Sequence, residues 1–210
     1  VQKDPDYSQR LCDFAALGQD VVLGFHTEDV GYELGISHMS NNENNFHIEH
    51  DHYSNASKEI PYFINDIDSS NTINGNPMYY WIAQQDRNIP TNAGYVLLMN
   101  CNNISVSNLQ NVSEMLIAFT NNSIISQNWI KNSNYGIKVW RGYKNNILEN
   151  YITNNEIGLS ISQSSDNNVY ENYISNNKQG ISLSGPIGNN IFKNIISNNQ
   201  NGIYLDWADN

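Results

Sequence analysis

Two acids and a run of histidines are the residues whose types and spacing could do chemistry in this chain. Asp66 and Asp68, in Asn65-Asp66-Ile67-Asp68, stand two apart. On an extended strand such a pair projects from one face with Cα atoms roughly 6–7 Å apart. Acid–base cleavage of a polysaccharide needs two or more carboxylates converging on one groove, and these are the candidates for it. Outward acids two apart are equally what a solvated strand shows. A polygalacturonase-like site would add a Gly-His-Gly turn and an Arg-Ile-Lys strand, and neither is in the sequence. A lyase-like site would set a basic side chain beside calcium-binding carboxylates. Lys138, Arg141, Lys144, Lys178 and Lys193 are expected to face no acidic cluster. The expectation is therefore a chain without a catalytic set.

The segment His47-Ile48-Glu49-His50-Asp51-His52 places His50 and His52 on one face of a strand. With His47 or Asp51 they could ligate copper or zinc. His26 and His38 precede them, so all five histidines fall in the first 52 residues. The alternative is a solvated polar turn, because the spacing matches no established zinc signature.

A third set is aromatic: Tyr79, Tyr80, Trp81, Trp129, Tyr151 and Tyr173. Trp129, Tyr151 and Tyr173 stand 22 residues apart and predict a stripe, which would pack on sugar rings or on another subunit, where Tyr and Trp are enriched. Cys12 and Cys101 are compatible with one disulfide, with intermolecular bridges, or with inert buried thiols. Asn-x-Ser/Thr sequons begin at Asn55, Asn103, Asn111 and Asn121, and Asn55, in an apparent loop, is the candidate glycan site.

The elements that must hold these groups are legible as a repeat. Gly136, Gly158, Gly180 and Gly202 are 22 residues apart, and so are Asn128, Asn150, Asn172 and Asn194. Asn146, Asn168 and Asn190 keep the same step, as do Ile130, Ile152, Ile174 and Ile196. A period of this size marks a solenoid whose single coil is too small to bury its own apolar face. Within each unit the apolar residues alternate, as in Ile137/Val139 and Leu159/Ile161, which is the strand period of two. The fold class is therefore all-β, a right-handed parallel β-helix with coils of about 22 residues. Recurring asparagines fit the corners, because Asn tolerates the left-handed backbone region and stacked amides can bond in ladders. The repeated glycine permits either a positive φ or close approach of neighbouring coils.

Glu114–Asn134 reads as a degenerate coil, with Glu114 in the glycine position, and the coil before it is out of step by one residue. Gly35, Ile36, Asn44, Asn45 and Phe46 repeat the same spacing, so the solenoid is expected to run from 33 to 210. Pro61, Pro77 and Pro90 mark bends, and a polar excursion at about 76–94 is expected to leave the stack. Residues 1–32 form a cap or irregular segment, in which Ser8 to Gly18 predicts a short helix covering the open end.

Charged residues are only 15% of the 210, net charge is −11 and pI is about 4.6. That balance argues against nucleic acid or an anionic membrane as partner. No apolar run reaches transmembrane length. The first residue is Val, as after removal of an export signal or at an arbitrary boundary.

The stretch "NTINGNPMYYW…IP…AGYVLLMNC.NI.V.NL", followed by TNNSIISQNWIKNSNYGI, resembles the NosD-type β-helix proteins, also called carbohydrate-binding and sugar-hydrolysis domains. The likeness covers roughly residues 60–210 and is similar in particular to surface proteins of methanogenic archaea. It implies export and a cell-envelope setting and fixes no activity. Together these readings predict a non-catalytic, extracellular structural protein that associates with its own copies in a layer, sheath or filament. A polysaccharide-binding or -cleaving module, and a copper- or zinc-binding accessory protein, are the alternatives.

Overall fold

The computed structural model describes residues 21–23, 33–34, 37–40, 46–48, 60–185 and 188–206. The chain divides into two compact units, Val1–Met78 and Tyr79–Asn210. The expected helix at 8–18 and most of the histidine run lie outside the described residues.

In the first unit the strands pair in parallel: Val21–Leu23 with Phe46–Ile48, Glu33–Leu34 with Asp66–Ile67, and His38–Met39 with Thr72–Ile73. Their offsets differ from one another and from 22, so this unit shares the parallel pairing without the regular period. Met39, Phe46, Ile48, Phe63, Ile67, Ile73 and Met78 are buried in it. Asn74 and Gly75 both carry positive φ, 50° and 80°, and turn Thr72–Ile73 back antiparallel onto Asn76 and Pro77. This is the two-residue turn that such φ values favour.

The second unit is a parallel β-solenoid of about five turns with three sheets. One sheet runs through Tyr95–Met99, Met115–Ala118, Tyr135–Trp140, Ile157–Ser162, Gln179–Ser184 and Asn201–Asp206. A second contains Gln85–Asn88, Asn102–Ser107, Ile124–Ser126, Asn146–Leu148, Asn168–Tyr170 and Asn190–Phe192. The third holds Trp129–Lys131, Tyr151–Thr153, Tyr173–Ser175 and Ile195–Ser197. Residues 22 apart face each other directly, for example Ile137 with Leu159 and Ile152 with Ile174. The inward aliphatics Val96, Ile117, Ile137, Ile147, Ile152, Leu159, Val169 and Ile174 are fully buried in one continuous core. Each contributes on the order of 1.5–3 kcal/mol through apolar area removed from water.

Three amide ladders hold the corners. Asn128, Asn150, Asn172 and Asn194 form one, Asn145, Asn167 and Asn189 another, and Asn155, Asn177 and Asn199 a third. In each, the backbone N–H and Nδ2 of one Asn donate to the Oδ1 of the next. The second Nδ2 proton goes to a backbone carbonyl of the preceding coil, 25 residues back from Asn150 to Ile125 at 2.8 Å and 22 back from Asn128 to Val106 at 2.9 Å. A buried side-chain amide is thereby saturated without water, which is what keeps its desolvation affordable.

The ladder asparagines are not the left-handed residues. Positive φ falls on the residue before each: Gln127, Glu149, Glu171 and Lys193 at one corner, Lys144, Asp166 and Gly188 at the second, and Asn154, Asn176 and Asn198 at the third, where Asn132 takes the same place before Ser133. The glycine column resolves likewise. None of Gly136, Gly158 and Gly180 has a positive φ, and a Cβ on Gly158 would stand 2.7 Å from the Gly180 carbonyl oxygen. Close approach of coils is the reason for glycine there.

Two expectations need correction. The polar stretch expected to leave the stack supplies the strand Gln85–Asn88, whose Arg87 faces Ile104. Its four residues are all exposed, so no apolar alternation announced it. The coil starting at Tyr95 is three residues short, not one: bonds join residues 19 apart there and 22 apart afterwards. The loss falls between Leu109 and Glu114, where the third-sheet strand is reduced to the bridge Val112 to Ile130.

Candidate functional site

Asp66 and Asp68 are both exposed, on either side of buried Ile67. Asp68 caps the turn that follows, accepting from the Ser70 N–H at 2.9 Å and from the Ser70 hydroxyl. Those bonds hold its carboxyl below the usual carboxylate range. A general acid needs the opposite shift, so Asp68 serves the turn.

A residue the sequence reading did not single out for chemistry has that shift. Glu114, at the start of the coil after the shortened one, is 6% exposed, and burial pushes its carboxyl up to about 8, with Lys138 opposing. Around it, burial raises the Tyr95 and Tyr135 hydroxyls and lowers Lys138. The Lys138 ammonium lies 4.8 Å from the Tyr135 ring centroid. Glu156, the other carboxylate acting on Tyr135, is ion-paired with Lys178. The signal for Glu114 was its place in the glycine column, where a carboxylate is out of keeping with the repeat.

Of the basic residues expected to face no acidic cluster, two have a single acidic partner one coil away: Lys178 meets Glu156, and Lys193 lies 3.6 Å from Glu171. These pairs are solvent-exposed, worth little to stability, and are not a calcium cluster. Among the described residues no group of three or more His, Cys, Asp or Glu is arranged to hold a metal. His50 and His52 lie outside them, as does the His47 side chain. His38, on its own strand, meets the Thr72 hydroxyl through Nδ1 at 2.9 Å.

The aromatic stripe is a stack. Trp129, Tyr151 and Tyr173 have centroids 4.9 and 4.8 Å apart at 26° and 7°, and Ile195 continues the column. Tyr170 and Phe192 form a second column on the neighbouring sheet, 5.1 Å apart. The exposed corner residues Gln127, Glu149, Glu171 and Lys193 run between the two, Gln127 donating to Glu149 at 2.7 Å. Rings stacked this way cover one another's faces and present edges outward, so Tyr151 has no open face for a sugar. The other aromatics are absorbed by packing. Tyr80 is buried, while Tyr79 and Trp81 lie against the solenoid core, with Arg87 over Trp81 at 4.7 Å.

Cys101 is a free, buried thiol that donates to the carbonyls of Trp81 and Met99, both at 3.4 Å, and burial raises its pKa. Such a thiol is poorly placed for crosslinking. Cys12 and Asn55 lie outside the described residues. The last described strand, Asn201–Asp206, is exposed throughout, and Ile203 and Leu205, core positions in earlier coils, are each 52% exposed.

The family model described as right handed beta helix region matches residues 68–210. No curated protein and no solved structure matches the chain.

Proposed function

The chain belongs to the right-handed β-helix family, and on that premise we propose that it is a non-catalytic, exported structural module that associates with its own copies at the cell envelope. The observation that carries this reading is the outward aromatic surface of the solenoid, the stacked column Trp129, Tyr151 and Tyr173 beside the column Tyr170 and Phe192, with Trp129 51% and Phe192 44% exposed. Contact between two such surfaces would remove apolar area from water, and Tyr and Trp are enriched where subunits meet. The ionisable groups support a structural role. Asp68 is committed to a turn, Glu156 to Lys178, and Glu114 to a buried site. The likeness of residues 60–210 to NosD-type surface proteins is the ground for placing the module in the envelope.

Electron microscopy of the concentrated 210-residue chain tests this reading. Rows, sheets or filaments of regular repeat are expected. A field of isolated particles at every concentration contradicts it.

A further inference from the structure

We propose that Asn111 is an N-glycan acceptor, an inference that rests on the exported reading above. Three sequons fall among the described residues, and their surroundings separate them. Asn121 accepts from the Tyr143 N–H at 3.0 Å through its side chain. The hydroxyl its sequon needs, Ser123 Oγ, is fully buried, and it accepts from the Ile104 N–H at 2.9 Å while donating to the Asn121 carbonyl at 2.9 Å. Asn103 stands inside the strand Asn102–Ser107, and its Nδ2 donates to Asp86 at 2.7 Å.

Asn111 differs in its exposure and in its backbone setting. It is exposed and sits in the bend where the coil has lost its third-sheet strand, so neither neighbour in the sequon belongs to a named strand. Ser113, the hydroxyl residue of the sequon, is half-buried and donates to the Gly94 carbonyl at 3.1 Å. An acceptor sequon requires a surface loop of an exported chain, and this is the described sequon that lies in one. The bridge between Val112 and Ile130 sets Asn111 level with Trp129, a residue 51% exposed. Tyr151 stacks on that indole from the following coil, so the surface left open lies toward Asn111 and offers apolar support to the first sugar.

The co-substrate is a lipid-linked oligosaccharide diphosphate. Nδ2 of Asn111 forms a bond to the anomeric carbon, the bond from that carbon to the diphosphate oxygen breaks, the lipid diphosphate leaves with the electron pair, and Nδ2 loses one proton.

The test is secretion of the full chain from a eukaryotic host behind a cleavable signal, followed by peptide mapping of the folded fraction before and after enzymatic removal of N-glycans. Asn111 is expected to be occupied, with Asn103 and Asn121 unmodified. The Asn111→Gln and Ser113→Ala variants should each lose one glycan mass and remain folded. An unmodified Asn111, or occupancy of Asn103 or Asn121 at an equal level, overturns the proposal. Export is imposed in this experiment, so that failure would leave the envelope reading untouched. Fractionation of the source cells judges the envelope reading separately.

Discussion

At the scale of residues, Glu114 carries the clearest consequence. Its carboxyl sits near 4.5 in an unfolded chain and is pushed up to about 8 by burial in the fold. Between those values the unfolded chain is ionised while the folded one still holds the proton. Stability from this group is therefore fully present below about pH 4.5 and is lost as pH rises toward 8. The slope is about 1.4 kcal/mol per pH unit. Glu114→Gln should flatten the pH dependence, and chemical denaturation at several pH values checks this. A wild-type midpoint that rises from acid to mild alkali would contradict the burial argument. The asparagine ladders were legible at this scale because a shared residue type recurs every 22 positions. The left-handed residues were legible at one corner, where Asn132, Asn154, Asn176 and Asn198 recur, and hidden at another, where Gln127, Glu149, Glu171 and Lys193 share no single type and are united only by preceding a ladder asparagine. The roles of Asp66 and Asp68 were legible as a shared face. The turn bonds of Asp68 depend on where the short strand stops, which spacing does not reveal.

At the scale of elements, the coils are near-identical units joined to their neighbours, so stability adds coil by coil. Removing residues 146–167 joins Asn145 to Asn168 and keeps every strand and ladder in register. The shortened chain should fold with an unchanged β spectrum and lose about 1–3 kcal/mol, at the usual 0.05–0.15 kcal/mol per residue. Removing only residues 146–156 breaks register and should abolish folding. If both deletions behave alike, the coil is not the unit of folding. The strands were legible wherever alternating aliphatics line the tube, as in Leu159 and Ile161. Gln85–Asn88 was hidden because its pairing with Asn102–Ser107 rests on backbone bonds and not on apolar side chains. The missing side of the coil near Asn111 was visible only as a slip in step. Its size emerges from strand register, where Val96 faces Met115 and Met115 faces Ile137.

At the scale of the whole molecule, stacked coils line up their outward side chains, so that Trp129, Tyr151 and Tyr173 form one apolar column along the solenoid. Net charge of −11 opposes close approach of two copies, so added salt should favour association by screening that repulsion. The repeat made the fold legible from the residues alone, while the boundary at Tyr79 was not, because strand Asn76–Ile82 runs through it without a break in pattern. The building-block reading meets its most direct test in sedimentation velocity of the wild-type chain beside a Tyr151→Lys/Tyr173→Lys variant, over a concentration series at moderate salt. The account predicts that the wild type grows into larger species as concentration rises while the folded variant stays a single small one. Wild type and variant sedimenting alike, as monomers or as equal polymers, would contradict it.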